Sequence, residues 1–515
     1  RNGIIDPEQS ELDLTNGLSY QGVAITPTVN GARNQWQTAG FFGRINYNYA
    51  ERYLAELNLR YDGTSKFRSD KMWKLFPSIS LGWRISEENF MKNTKDWLSN
   101  LKLRLSYGSL GNQNIDNWYQ TYQTIAYRAF TGYWLQNGQK TNTTSAPGLV
   151  SSLLTWEKVE SYNVGLDFGF FNNRLTGSFD YFVRNTKNMV GKAPELPSIL
   201  GTGVLVTNNT DLRSNGWELQ LSWNDQLANG LHYGVTFNLS DSRTKITRYP
   251  NNPTNSIDTY IKGRYINEIW GYTTKGIAKS NEEMNAHLST TDQSTIGSNW
   301  AAGDIMYEDT NNDKQINDGA RTITDHGDLK VIGNSTPRFL WGIDLNASWK
   351  GFDIRAFFQG VMKRDAWLGG SWGSLEYYFG ATNSGEWWAT GITAVKDYYR
   401  DANTWSVANG YQKANQDAFL PRATFSNKNE RCQTRYLMNA AYMRLKNFQA
   451  GYTIPRNITT KWGISNMRVF VSIENLFTIT KMPKQFDPEM IGTDSRHSNG
   501  YPLSKTFSFG INVTF

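Results

Sequence analysis

Thr506-Phe507-Ser508-Phe509-Gly510-Ile511-Asn512-Val513-Thr514-Phe515 ends the chain. Successive side chains of a β-strand point to opposite faces. Phe507, Phe509, Ile511, Val513 and Phe515 therefore line one surface, while Ser508, Gly510, Asn512 and Thr514 line the other. One surface suits hydrocarbon and the other suits water. About ten residues carry a tilted strand across a bilayer, and membrane barrels alternate apolar-out with polar-in at that length.

Working outward from this stretch, the same alternation recurs. It appears at Gly43 to Tyr49, at Tyr53 to Tyr61, at Ser78 to Ile85 and at Leu101 to Gly108. Further strands are expected at Tyr162 to Phe170, Leu175 to Val183, Trp217 to Trp223, Leu231 to Leu239, Phe339 to Trp349, Phe352 to Gln359, Tyr442 to Ile454 and Met467 to Ile473. With the terminal strand this predicts thirteen strands of a transmembrane antiparallel β-barrel, an all-β fold. Connections alternate short and long, as in barrels with short periplasmic turns and long extracellular loops. Ala50-Glu51-Arg52, Asn172-Asn173, Ala228-Asn229-Gly230 and Lys350-Gly351 are short turns, and Glu87 to Met91 is compatible with a helical turn.

If the terminal strand runs inward, thirteen alternating strands make the first one run inward too, whereas a complete barrel starts outward from the periplasm. Residues 1–39 are therefore expected to be the remnant of an extracellular loop, and residues 40–515 the C-terminal part of a larger barrel.

Composition agrees. Aromatic residues make up 14% of the chain, with 27 Tyr, 26 Phe and 19 Trp, and Tyr and Trp favour membrane interfaces. Mean hydropathy is nevertheless −0.57, and no run approaches the roughly 20 apolar residues of a spanning helix. The net charge of +7 is spread without a dense Lys/Arg run, so no nucleic-acid footprint appears. The single cysteine, Cys432, allows no internal disulfide.

Arg60-Tyr61-Asp62-Gly63-Thr64-Ser65-Lys66-Phe67, Leu75-Phe76-Pro77-Ser78, Gly82-Trp83-Arg84 and Tyr107-Gly108-Ser109-Leu110-Gly111-Asn112-Gln113-Asn114-Ile115 resemble the SusC-like TonB-dependent transporters of the Bacteroidetes outer membrane. Leu154-Thr155-Trp156-Glu157, Asn334-Ser335-Thr336-Pro337-Arg338, Lys350-Gly351-Phe352-Asp353, Tyr442-Met443-Arg444-Leu445-Lys446-Asn447 and Glu474-Asn475-Leu476-Phe477 extend the resemblance to the end. It implies a plugged barrel of about 22 strands, importing oligosaccharides or peptides beneath a SusD-like surface lipoprotein. TonB would supply energy through a plug that is not in this chain, and the remaining N-terminal strands would complete the wall. A family of about 22 strands leaves an odd number upstream, in agreement with the parity argument.

Candidate binding residues lie in two places. The stretch Trp367 to Trp405 is rich in aromatics and glycines, and Trp367, Trp372, Tyr377, Tyr378, Trp387 and Trp388 are candidates to stack on sugar rings or peptide groups. Asn112 and Asn114 are candidates to face ligand, with turn-making as the alternative. Asp309, Asn311 and Asp313 occupy positions one, three and five of a calcium-type loop. Lys314 replaces the turn glycine and Ala320 the bidentate carboxylate, so the loop reads as degenerate, a calcium site or a polar turn.

No catalytic constellation is present. His232, His287, His326 and His497 are scattered, and Gly201-Thr202-Gly203 lacks the third glycine of a nucleotide loop. Asp167, Asp180, Glu218 and Asp344 are expected to partner Arg60, Arg104, Arg184 and Arg355 on a hydrated inner wall. The leading reading is nutrient import across the outer membrane. The alternatives are a passive porin and a soluble β-rich glycan-active enzyme.

Overall fold

A computed structural model describes residues 2–5, 29–32, 35–115, 119, 121–123, 125, 127–128, 131–144, 147–152, 154–195, 197, 199, 204–367, 396–424, 426–484, 486–491 and 503–515. Thirteen of its strands form one sheet in which every neighbour in sequence is a neighbour in space. They are β1 Thr38–Tyr49, β2 Tyr53–Thr64, β3 Trp73–Arg84, β4 Leu98–Asn112, β5 Glu157–Phe170, β6 Leu175–Lys192 and β7 Val206–Gln226. β8 His232–Arg248, β9 Arg338–Trp349, β10 Phe352–Lys363, β11 Tyr442–Thr453, β12 Asn466–Thr480 and β13 Thr506–Thr514 complete it. Every pairing between these neighbours is antiparallel.

The register carries the alternation across the sheet. Phe507, Phe509, Ile511 and Val513 pair with Ile473, Val471, Val469 and Met467, forming a continuous apolar outer face. Phe509 is 85% exposed, as a lipid-facing side chain must be in the protein alone. On the other face Ser508 meets Ser472 and Asn512 meets Arg468. Gly510 permits a close approach there, since a Cβ at that position would lie 2.2 Å from the Phe470 ring.

Turns on one rim are tight. Ala50 and Glu51 both take positive φ, 51° and 55°, as do Lys350 at 48° and Gly351 at 89°. Such paired left-handed residues match the twist of a hairpin. Between β3 and β4 the chain makes two 3₁₀ turns, Ile85–Glu87 and Asn89–Thr94.

The opposite rim departs from simple loops. β6, β7 and β8 run to 18, 21 and 17 residues, well beyond the roughly ten that cross a bilayer. Residues 249–337, 396–424 and 426–441 then pack together into a cap. Its core includes Ile257, Ile305, Tyr307, Ile316, Leu420 and Tyr436, all buried. Short antiparallel pairs brace it, Glu268–Gly271 with Lys330–Asn334 and Thr274–Ile277 with Ile305–Tyr307. Helix α1, Asn281–Leu288, starts at Ser280, whose hydroxyl accepts from the Glu283 N–H, while the Glu283 carboxylate accepts from the Lys279 N–H.

Candidate functional site

The inner face of the wall is a set of charged side chains held across strands. Arg104 of β4 donates to Asp167 of β5 at 2.8 Å and to Asp180 of β6 at 2.8 Å. Gly165 is the register partner of both Arg104 and Asp180. A Cβ there would lie 2.5 Å from the Asp180 carboxylate and 2.7 Å from the guanidinium, so the missing side chain is what lets one arginine span three strands. Arg355 reaches Asp344 at 2.5 Å, Arg468 reaches Asp353 at 2.5 Å, and Arg44 reaches Glu56 at 2.5 Å.

The sequence pairing is realised for Arg104 and Arg355. Arg60 instead takes Asp62 two residues along its own strand, at 2.6 Å, and Arg184 lies 5.9 Å from the Phe182 ring. Glu218 pairs with none of the four. Exposed pairs of this kind contribute about 0–1 kcal/mol each. Together they give the inner surface a fixed pattern of charge.

At the long-loop rim, Arg444 of β11 is nearly sealed and binds Asp487 at 2.7 Å and Glu489 at 3.2 Å, and Lys446 reaches Glu489 at 2.9 Å. Burial alone would raise the Asp487 carboxyl. Arg444 and the N–H groups of Glu489 and Leu503 outweigh it, and the group is held below the usual aspartate range.

Inside the cap, the fully buried Asp304 carboxylate accepts from Lys428 Nζ at 2.8 Å, from Arg422 at 2.9 Å, from Asn429 Nδ2 at 3.0 Å and from the Ala301 N–H at 2.9 Å. Lys428 also donates to the carbonyls of Ser298 and Asn299 and lies 4.6 Å from the Trp300 ring. Burial pushes the Lys428 ammonium down, and Asp304 offsets only part of that. The Cys432 thiol is pushed up to about 12 by burial, which leaves it unreactive. Sequence reasoning missed this cluster because Asp304 and Lys428 lie 124 positions apart with no periodic signal linking them.

Asn112 donates to Glu157 at 2.6 Å, and its side-chain oxygen accepts from the Asn114 N–H at 2.9 Å, an Asx turn. Asn112 also lines a cavity of about 470 Å³ together with Arg60, Asp62, Gln113 and Trp156. Trp367 is half-buried against the cap core. Trp372, Tyr377, Tyr378, Trp387 and Trp388 lie outside the described residues.

In the calcium-type loop, Asp309 accepts from the N–H groups of Asn312 and Lys314, and Asp313 from the Gln315 N–H and the Asn311 amide. The Gln315 N–H, followed by the Asn311 amide, lowers the Asp313 carboxyl. Among the described residues no three His, Cys, Asp or Glu side chains are grouped to hold a metal ion. Chemically, the arrangement offers a charged wall face below a cap with its own apolar core.

The TonB-dependent receptor P3 of Formosa agariphila is 28% identical over 530 residues, covering 98% of this chain and 48% of the relative. The TonB-dependent receptor SusC of Bacteroides thetaiotaomicron is 27% identical over 481 residues, covering 92% and 43%. The chain thus spans about half the length of the curated relatives it matches. Among solved structures, the RagAB peptide transporter superposes with a TM-score of 0.72 at 23% identity, over 98% of this chain and 50% of that one, a likeness of fold. Residues 9–356 match the family described as TonB dependent receptor-like, beta-barrel. With more than half its length inside that match and a thirteen-strand antiparallel wall to carry it, the chain belongs to the TonB-dependent receptor β-barrel family.

Proposed function

We propose that this chain forms part of the wall of an outer-membrane importer that draws oligosaccharides or peptides inward with energy from TonB. The observation that carries the reading is the two-faced wall. Its outer face is apolar through Phe509, Ile511 and Val513, and its inner face is charged through Arg104, Asp167 and Asp180. An open sheet edge is unfavourable in lipid, and among the described residues β1 and β13 each have one. The wall would therefore close against further strands around a plug, which would be the part that TonB pulls.

The cap is the proposed seat of a SusD-like surface lipoprotein, and the aromatic stretch from Trp367 the proposed ligand contact. The Asp309 loop is proposed to be a polar turn rather than a resident calcium site. A Bacteroidetes-type outer membrane is the expected location.

Uptake of labelled peptide and oligosaccharide mixtures by cells with and without the protein tests the reading. Import should require the protein and stop when a protonophore collapses the proton gradient. Uptake that continues unchanged without the gradient would establish a passive channel instead.

A further inference from the structure

On the outer face, three strands present a graded series of rungs toward the long-loop rim. Tyr181 of β6, Trp217 of β7 and Asp241 of β8 form one rung. The next holds Val183, Asn215 and Arg243, and the one above it Asn185, Arg213 and Lys245. Below them lie Phe179 and Leu219, with Phe179 stacked on Trp217 at 6.5 Å. Apolar side chains thus give way to aromatic ones and then to cations.

Two residues of strand advance about 6.7 Å, and a tilt of about 40° makes that roughly 5 Å of height. Tyr and Trp mark the membrane interface. Arg243, Arg213 and Lys245 accordingly stand about 5 to 10 Å above it, at the level of lipid headgroups.

Three carboxylates nearby are held by other arginines, and Asp365, which lines a neighbouring cavity with Arg243, accepts from the Asn334 N–H at 3.0 Å. Asp241 is gripped by two guanidinium nitrogens of Arg338, Asp211 is bound by Arg248 at 2.8 Å, and Glu268 by Arg264 at 2.8 Å. Arg213, Arg243 and Lys245 are exposed, and none has an ion pair among the described residues. Tyr265 holds two of them in place, its ring 3.6 Å from the Arg243 guanidinium and 4.9 Å from the Lys245 ammonium. Tyr265 is itself fixed by strand-like bonds between residues 264–266 and β8. The three cations and Tyr265 line a cavity of about 420 Å³ whose floor is Tyr181 and Trp217.

We propose that Arg213, Arg243 and Lys245 form a binding site for the phosphate group of an anionic glycolipid of the outer leaflet. Guanidinium forks match phosphate oxygens, and the aromatic rung below offers a surface for sugar and the first part of the acyl chains. The proposal rests on the membrane-barrel reading above. It adds a lipid site on the outside of the wall, separate from the transport path.

The test uses the native protein purified in mild detergent, with a phosphorylated glycolipid, its dephosphorylated form and inorganic phosphate as probes, read by native mass spectrometry. The protein should retain the phosphorylated glycolipid, and R213Q/R243Q/K245Q should reduce retention at least tenfold. R456Q/K461Q, on the opposite rim, should retain it fully. Undiminished retention by the triple variant, equal retention of the dephosphorylated lipid, or equally strong binding of inorganic phosphate alone overturns the proposal. Flotation with lipid vesicles separates the two readings. A protein that floats but holds the lipid indifferently defeats only the site, whereas one that fails to float defeats the barrel reading.

Discussion

Lys428 donates to Asp304 at 2.8 Å with side chains 2% and 0% exposed, joining two connections that leave different hairpins of the wall. Removing one partner of a buried pair strands the other, at a cost of about 3–5 kcal/mol. Lys428→Met should therefore accelerate hydrogen exchange at Ile305 to Tyr307 while leaving β5 and β6 protected. Adding Asp304→Leu should restore part of the protection, and no recovery would show that Arg422 and Asn429 depend on the carboxylate more than Lys428 does.

The wall predicts a sharp difference between its faces. Phe509→Arg places a charge on the apolar outer stripe and should cost roughly 2–4 kcal/mol if it lies near the bilayer midplane. Asn512→Ser on the inner face should be mild. Urea titration of the protein in vesicles measures both, and equal effects would contradict the assignment of faces.

Two glycines make a second contrast. Gly165→Ala pushes a methyl group into the space shared by Arg104 and Asp180, an overpacking that typically costs about 1–3 kcal/mol. A Cβ at Gly43 meets nothing within 4 Å, so Gly43→Ala should be close to neutral. Thermal unfolding followed by gel mobility distinguishes the pair.

All thirteen wall strands were legible in the sequence because one face of each must be apolar, and a period of two survives any choice of residues on the other. Their upper extensions were not. β6 continues from Val183 to Lys192 and β7 starts at Val206 rather than Trp217, since above the bilayer both faces meet water and the alternation fades. The cap was equally hidden. Ile257, Leu420 and Met482 share one core but come from three separate connections, and no local pattern records such a meeting. Of the ligand candidates, Asn112 and Asn114 were readable as turn formers, while the cavity beside Asn112 depends on Arg60 and Trp156 from distant strands.

Acid should loosen the long-loop rim. Asp487 is held below the ordinary aspartate value of 3.8, so its contribution to stability is present above that value and is lost as pH falls through the lowered folded one. Proteolysis near residues 481–491 should rise steeply in that acid range. Asp487→Asn should remove the steepness and leave the segment susceptible at every pH.

Calcium should have no effect on the cap. Asp309 and Asp313 already spend their oxygens on the loop's own N–H groups. Chelator and added calcium should give the same melting temperature, and a saturable rise with calcium would reverse this reading.

The two rims also impose an order of assembly. Left-handed turns such as Ala50-Glu51 and Lys350-Gly351 join residues adjacent in the chain, so each hairpin can form from local contacts alone. The cap core must gather Ile257, Met438 and Met482, and distant contacts form slowly because the intervening chain has first to be brought together. Wall hairpins are therefore expected to form before the cap, whose core needs Met482 from beyond β12.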